Sequence, residues 1–170
     1  MKKIISLLLV LGFIMYLGSC EKDDICVDGD TPLLVISFYD IDNPETAKAV
    51  TKLRVVGVGK DSTVNTISDR TDLDSIGLPL QGGANITRFI MIKNSAYDTD
   101  TTFVETGNID TLSFNYVVKE QFVSRACGYI ANYDNLETSL TTDTDNWIKD
   151  ITVVDTLIKD QTAAHVKIFH

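Results

Sequence analysis

Thr111-Leu112-Ser113-Phe114-Asn115-Tyr116-Val117-Val118 is the stretch on which the reading of the fold turns. Leu112, Phe114, Tyr116 and Val118 occupy alternate positions, so in an extended chain they share one face. That period predicts a strand with one buried side. Working outward, residues 33–39 are apolar and β-branched, and residues 49–58 follow a turn at Asp42-Asn43-Pro44. Residues 63–67 alternate, with Val64 and Ile67 inward. In residues 86–93, Ile86, Ile90 and Ile92 share a face that Arg88 interrupts. Residues 101–106 are polar enough for an edge, and residues 126–133, 148–158 and 163–169 complete the set.

About eight or nine short strands punctuated by Asp, Asn, Gly and Thr predict an all-β protein. The expected architecture is an antiparallel β-sandwich, Ig-like or a related Greek key. Residues 45–48 have room for one helical turn behind Pro44. Gly57 and Gly59 inside a strand signal a bulge or a close backbone approach. Residues 138–146, rich in Thr and Asp, read as a loop or frayed edge. An immunoglobulin domain places a Trp between its paired cysteines. Trp147 follows both Cys26 and Cys127, so that disulfide pattern is absent while the sandwich stays open.

The start of the chain has a different character. Lys2 and Lys3 precede an apolar run over residues 4–17, and Leu17-Gly18-Ser19-Cys20 follows. The run is shorter than the roughly twenty residues that cross a bilayer. It suits a signal peptide, whose apolar region spans roughly 7–15 residues. Its tail resembles a bacterial lipobox, in which cleavage leaves a lipidated cysteine as the first mature residue. A plain secretory signal prefers Ala-x-Ala before the cut, and Leu17 departs from that. The expected organisation is a signal peptide over 1–19, a lipidated Cys20 with an acidic tether over 20–31, and one domain over 32–170. An ordinary secreted protein and a retained anchor are the alternatives.

The chain carries a net charge of −9, and losing Lys2 and Lys3 with the signal leaves −11. Such a domain repels phosphates, so nucleic-acid binding is disfavoured. Anionic head groups repel it too, so acyl chains such as palmitate must hold it to a membrane. With Cys20 lipidated, Cys26 and Cys127 remain as an even pair, which outside the cytoplasm favours a disulfide. A free nucleophilic Cys127 and inert buried thiols are the rivals.

Candidate chemistry is thin. Asp143-Thr144-Asp145-Asn146 has the first alternating oxygens of a calcium loop but lacks the following Gly and the later Glu, where Val154 stands. Asp98-Thr99-Asp100 and Asp28-Gly29-Asp30 are weaker, because Asp favours turns on its own account. Gly57-Val58-Gly59-Lys60 lacks the spacing and the Ser/Thr of a phosphate loop. His165 and His170 are the sole histidines; five apart on a strand, they face opposite sides, and His170 ends the chain and should be mobile. A Cys127/His165 dyad has no third orienting group in view. Tyr116, Phe122, Tyr129, Tyr133 and Trp147 suit core packing better than sugar stacking. No metal and no cofactor is expected, and no catalytic residue can be nominated.

Cys20-Glu21-Lys22-Asp23-Asp24-Ile25-Cys26 and Phe122-Val123-Ser124-Arg125-Ala126-Cys127-Gly128-Tyr129 resemble segments of an uncharacterised domain-of-unknown-function family of Bacteroidota lipoproteins. Residues 33–40 and Leu78-Pro79-Leu80 are similar as well. The resemblance implies an outer-membrane lipoprotein of unknown role and transfers no catalytic residue. Lys22-Asp23-Asp24 resembles the surface-export signal of such proteins, which favours the cell surface over the periplasmic face. The expected function is a tethered, non-catalytic binding or structural module with a protein or glycan partner. The alternatives are a hydrolase using unidentified carboxylates or Cys127, and a subunit of a larger envelope assembly.

Overall fold

The computed structural model describes residues 26, 29–97 and 105–170. The signal peptide over 1–19, Cys20 and Lys22-Asp23-Asp24 lie outside the described residues, as do Asp28 and Asp98-Thr99-Asp100. Nine strands form among them: β1 (Leu34–Tyr39), β2 (Val50–Gly57), β3 (Thr71–Leu73), β4 (Ser75–Leu78), β5 (Ile86–Tyr97), β6 (Glu105–Ser124), β7 (Gly128–Leu140), β8 (Asp150–Val153) and β9 (Val166–Phe169). They make a four-stranded sheet, β4-β1-β9-β8, and a five-stranded sheet, β3-β2-β5-β6-β7.

One apolar cluster joins the two sheets. Leu34, Ile36, Phe38 and Ile168 come from the first sheet, and Val55, Met91, Leu112 and Phe114 from the second. The all-β sandwich is therefore as the sequence predicts. Leu112, Phe114 and Tyr116 are buried, and Val118 packs at the rim of the core. Each large apolar side chain buried this way contributes about 1.5–3 kcal/mol. Pairing is antiparallel except between β1 and β9, which run parallel. All the other strands lie between those two in the chain, so the intervening fold supplies the long crossover that a parallel pair needs.

Several local expectations are corrected. Residues 63–67 form turns, with a single bridge from Thr63 to Val56, although Val64 and Ile67 do pack against the core. The strands that sequence missed lie just beyond. β3 pairs with β2, and after Asp74 the chain changes sheets so that β4 pairs with β1. Residues 45–48 hold no helical turn; Thr46 closes a turn on the Asn43 carbonyl and Ala47 bridges Tyr39. The bulge in β2 sits between Val50 and Leu53, where Lys52 takes a φ of 43°, while Gly57 ends the strand and Gly59 turns the chain at a φ of 80°. In β5, Thr87, Phe89 and Met91 turn inward, while on the other face Ile86 and Ile90 are partly exposed and Ile92 is buried outside the main core cluster. A mostly apolar strand leaves both faces open to the core, and here the larger Phe89 and Met91 fill it. Residues 138–140 belong to β7, whereas β8 has four residues and Ile158 only bridges Tyr133.

β6 and β7 outrun their neighbours. β5 accompanies β6 only as far as Ile86 opposite Asn115. Beyond that point residues 117–124 of β6 pair with β7 alone, and a turn at 125–127 closes the hairpin. Tyr133 of β7 still bridges Ile158, so the two-stranded arm starts at the Val118–Tyr133 pair and extends about 20 Å to Ser124 at the usual strand rise.

Candidate functional site

Cys26 and Cys127 lie at the tip of this arm. Cys26 and Cys127 are bonded, with Cα atoms 4.9 Å apart. The Cys127 N–H donates to Ser124 Oγ, and Gly128 at a φ of 72° lets the chain reverse into β7. Gly29 lies against the bridge: a Cβ there would come within 2.9 Å of Cys127 Sγ. Thr31 Oγ1 accepts the Ala131 N–H, so the segment leading to β1 follows the edge of β7. The disulfide joins the arm to that segment and does not cross the sandwich core.

Both histidines are committed to packing. His165 and His170 are 4% and 5% exposed. His165 Nδ1 accepts the Val35 N–H at 3.1 Å, while the His165 N–H donates to the Val35 carbonyl. Burial pushes its pKa down, against the pull of Asp155 and Asp160. His170, expected to be mobile, is fixed from three sides. Its Nε2 meets the Lys48 carbonyl, its Nδ1 meets Lys93 Nζ, and its ring packs edge-on to Trp147. Burial lowers its pKa as well, and Lys93 and Lys48 add to that against the Lys48 carbonyl and Asp40. With Cys127 bonded and His165 Nδ1 engaged, the structure forms no Cys–His dyad.

The loop Asp143-Thr144-Asp145-Asn146 turns its oxygens on itself. Asp143 Oδ1 accepts the Asp145 N–H, and Asn146 Oδ1 accepts the Asp143 N–H. Asn146 Nδ2 then donates to Asp110, which also receives the Ile148 N–H at 2.8 Å. Burial raises the Asp110 pKa. Of the aromatics, Tyr116, Tyr133 and Trp147 are buried, but Phe122 and Tyr129 are exposed on the arm.

A denser polar cluster escaped the sequence reading. Arg54, 7% exposed, donates to the Tyr97 hydroxyl and pairs with Glu105 at 3.2 Å and Asp69 at 3.6 Å. Arg70 pairs with the same two carboxylates and lies 3.9 Å from the centre of the Tyr97 ring. Hydrogen bonds from Arg54 and then Arg70 lower the Tyr97 pKa. Two cations face two anions, so the cluster neutralises itself and clasps the β2–β3 connection to β5 and β6. These residues come from four separate segments, and no spacing could have announced them.

The clefts gather around the loop between β4 and β5. One of about 320 Å³ lies between that loop and the turn after β2. Lys60 and Arg88 are its sole charged lining residues, among Ser62, Thr63, Asn65 and Gln81. The segment Gly57-Val58-Gly59-Lys60 thus forms a cleft wall, although it is not a phosphate loop. A second cleft of about 260 Å³ is lined by Pro32, Leu80, Ala131 and Tyr133. The loop is held from beneath. Tyr133 Oη donates to the Leu80 carbonyl at 3.0 Å, and Tyr116 Oη engages Gln81 and Thr87. Such a surface suits the binding of a polar ligand or partner, and the first cleft falls at the small end of ligand sites.

A family model described as a family of unknown function (DUF6452) matches residues 52–170. Neither the curated proteins nor the solved structures contain a match.

Proposed function

The chain belongs to the DUF6452 family of unknown function, and from that premise we propose that it is a lipid-anchored envelope protein whose β-sandwich is a non-catalytic binding module. In this reading residues 1–19 are removed, Cys20 carries the acyl chains, and the domain stands on a Bacteroidota-type outer membrane. Lys22-Asp23-Asp24 favours the outer face.

The observation that carries the proposal is the Cys26–Cys127 bond. A structural disulfide belongs to an oxidising compartment. It takes Cys127 out of nucleophilic chemistry, which weighs against the cysteine-hydrolase alternative. It also leaves Cys20 as the odd cysteine, the residue a lipobox would modify. The clefts around the β4–β5 loop offer the binding surface for a glycan or protein partner. Mass spectrometry of the detergent-extracted protein tests the proposal. The expected N-terminal residue is an acylated Cys20, with no free thiol in the unreduced, unfolded chain. An unmodified Cys20, or cleavage elsewhere, refutes it.

A further inference from the structure

We propose that the tip of the β6–β7 arm is a membrane-contact surface, and that its partner is the bilayer holding the acyl chains on Cys20; the inference rests on the lipoprotein reading above. Phe122 and Tyr129 are the first ground. They pair across the hairpin with ring centres 5.3 Å apart, yet stay 54% and 68% exposed. They continue the inward face of Val118 and Tyr133 past the end of the core, where no described residue covers them. Tyr129, with an apolar ring and a polar hydroxyl, suits the interface between lipid and water, and Phe122 beside it adds apolar area for the acyl region.

The tether is the second ground. Because Cys26 is bonded to Cys127 and Thr31 meets Ala131, the chain before β1 runs out along β7 to the arm tip. Six residue steps separate Cys20 from Cys26, a reach of at most about 20 Å. Acyl chains on Cys20 therefore draw the tip, rather than any other part of the sandwich, to the head groups. Without the bond, fourteen steps would separate Cys20 from Leu34 at the start of β1, and the domain would be free to turn.

A tryptophan placed at the tip tests the inference. The full chain carrying Phe122→Trp is expressed, extracted and reconstituted into vesicles of phosphatidylethanolamine and phosphatidylglycerol with brominated acyl chains. Mass spectrometry reads the acylation of Cys20 on the same sample. Trp147 is 4% exposed and gives a constant background. A Val154→Trp chain, altered at an exposed position outside the arm, is the comparison. The expected result is bromine quenching several-fold stronger at position 122 than at 154, with a blue-shifted emission. Replacing Cys26 and Cys127 together by Ser in the Phe122→Trp chain should bring its quenching down towards the level at 154. Acylated protein with equal quenching at both positions overturns the membrane contact and leaves the lipoprotein reading standing. Quenching that survives loss of the disulfide overturns the tether geometry. A dimer by size-exclusion chromatography in detergent, with a blue shift and no added quenching in vesicles, means that a second copy covers the tip and also overturns it. An unacylated Cys20 overturns both readings together.

Discussion

Tyr133→Phe removes one oxygen from the best-enclosed hydroxyl of the fold. Tyr133 is fully buried, and its hydroxyl donates to the carbonyl of Leu80, itself 8% exposed. The ring keeps its edge-on contact with Tyr116, centroids 4.9 Å apart, so the change leaves packing intact. What remains is a buried carbonyl without a donor, which costs about 1–3 kcal/mol. The expected loss is about 2 kcal/mol, seen as a lower urea midpoint with an unchanged slope and a Tm lower by about 4–8 °C. A second signature separates this from general damage. Burial raises the Tyr133 pKa to about 12 from an ordinary value of 10.0, with Tyr116 adding to it. A group raised in the fold keeps its full contribution below pH 10 and loses it as pH rises towards 12. At about 1.4 kcal/mol per pH unit the wild type should therefore weaken steeply across that window. Tyr133→Phe should weaken less over the same window. Tyr129→Phe, on the exposed arm, serves as the control and should stay within about 0.5 kcal/mol of wild type. A Tyr133→Phe loss below about 0.5 kcal/mol, or an alkaline slope equal to that of wild type, would refute the buried bond.

Replacing Cys26 and Cys127 together by Ser opens a loop whose ends are 101 residues apart. Chain entropy sets an upper value of about 4.7 kcal/mol, and about 2–4 is expected by urea denaturation, because residues 26–33 gain freedom in the folded state. His165 and His170 are held neutral by burial, so the unfolded chain takes up protons first as pH falls below about 6.5. Stability should decline there, and the chain with His165→Asn and His170→Asn should decline less; identical curves between pH 7 and 5 would count against buried neutral rings. Arg54→Met leaves Asp69 and Glu105 facing Arg70 alone and should cost about 2 kcal/mol, with the Tyr97 pKa moving back up by absorbance titration. An unchanged Tyr97 titration would mean that Arg54 does not reach the hydroxyl in solution.

The parts of the fold legible in sequence are those where one face is buried and the other is not. The alternation in residues 111–118 located the centre of β6, and the β-branched segment at 33–39 located β1 to within a residue. Where both faces are apolar, as in β5, period two could not say which side meets the core. β3 and β4 are three and four residues long and polar in part, so they carry no pattern of their own; they exist because β2 and β1 offer edges to pair with. The Cys26–Cys127 bond was legible by elimination, with Cys20 set aside as the residue expected to be lipidated. The Arg54 cluster and the β4–β5 clefts were not, because each is assembled from segments tens of residues apart. His170 shows the limit of arguing from position: a last residue packs like any other when Trp147, Lys48 and Lys93 surround it.

The arm also fixes where a bound partner would sit. The cleft lined by Pro32, Leu80, Ala131 and Tyr133 lies at the base of the arm, beside the segment that leads to the tether. From Val118 at that base to Ser124 at the tip is six residue steps, about 20 Å along a strand. With the tip at the head groups, as proposed, that cleft would stand up to about 20 Å above the lipid. The floor of the clefts is held from the base of the arm, by Tyr133 on Leu80, and from β6 behind it, by Tyr116 on Gln81 and Thr87. In the proposed reading, anchoring and binding draw on different residues of the same hairpin. Changes at Phe122 or Tyr129 should alter how the domain lies on vesicles without altering the clefts, and changes at Lys60 or Arg88 should do the reverse.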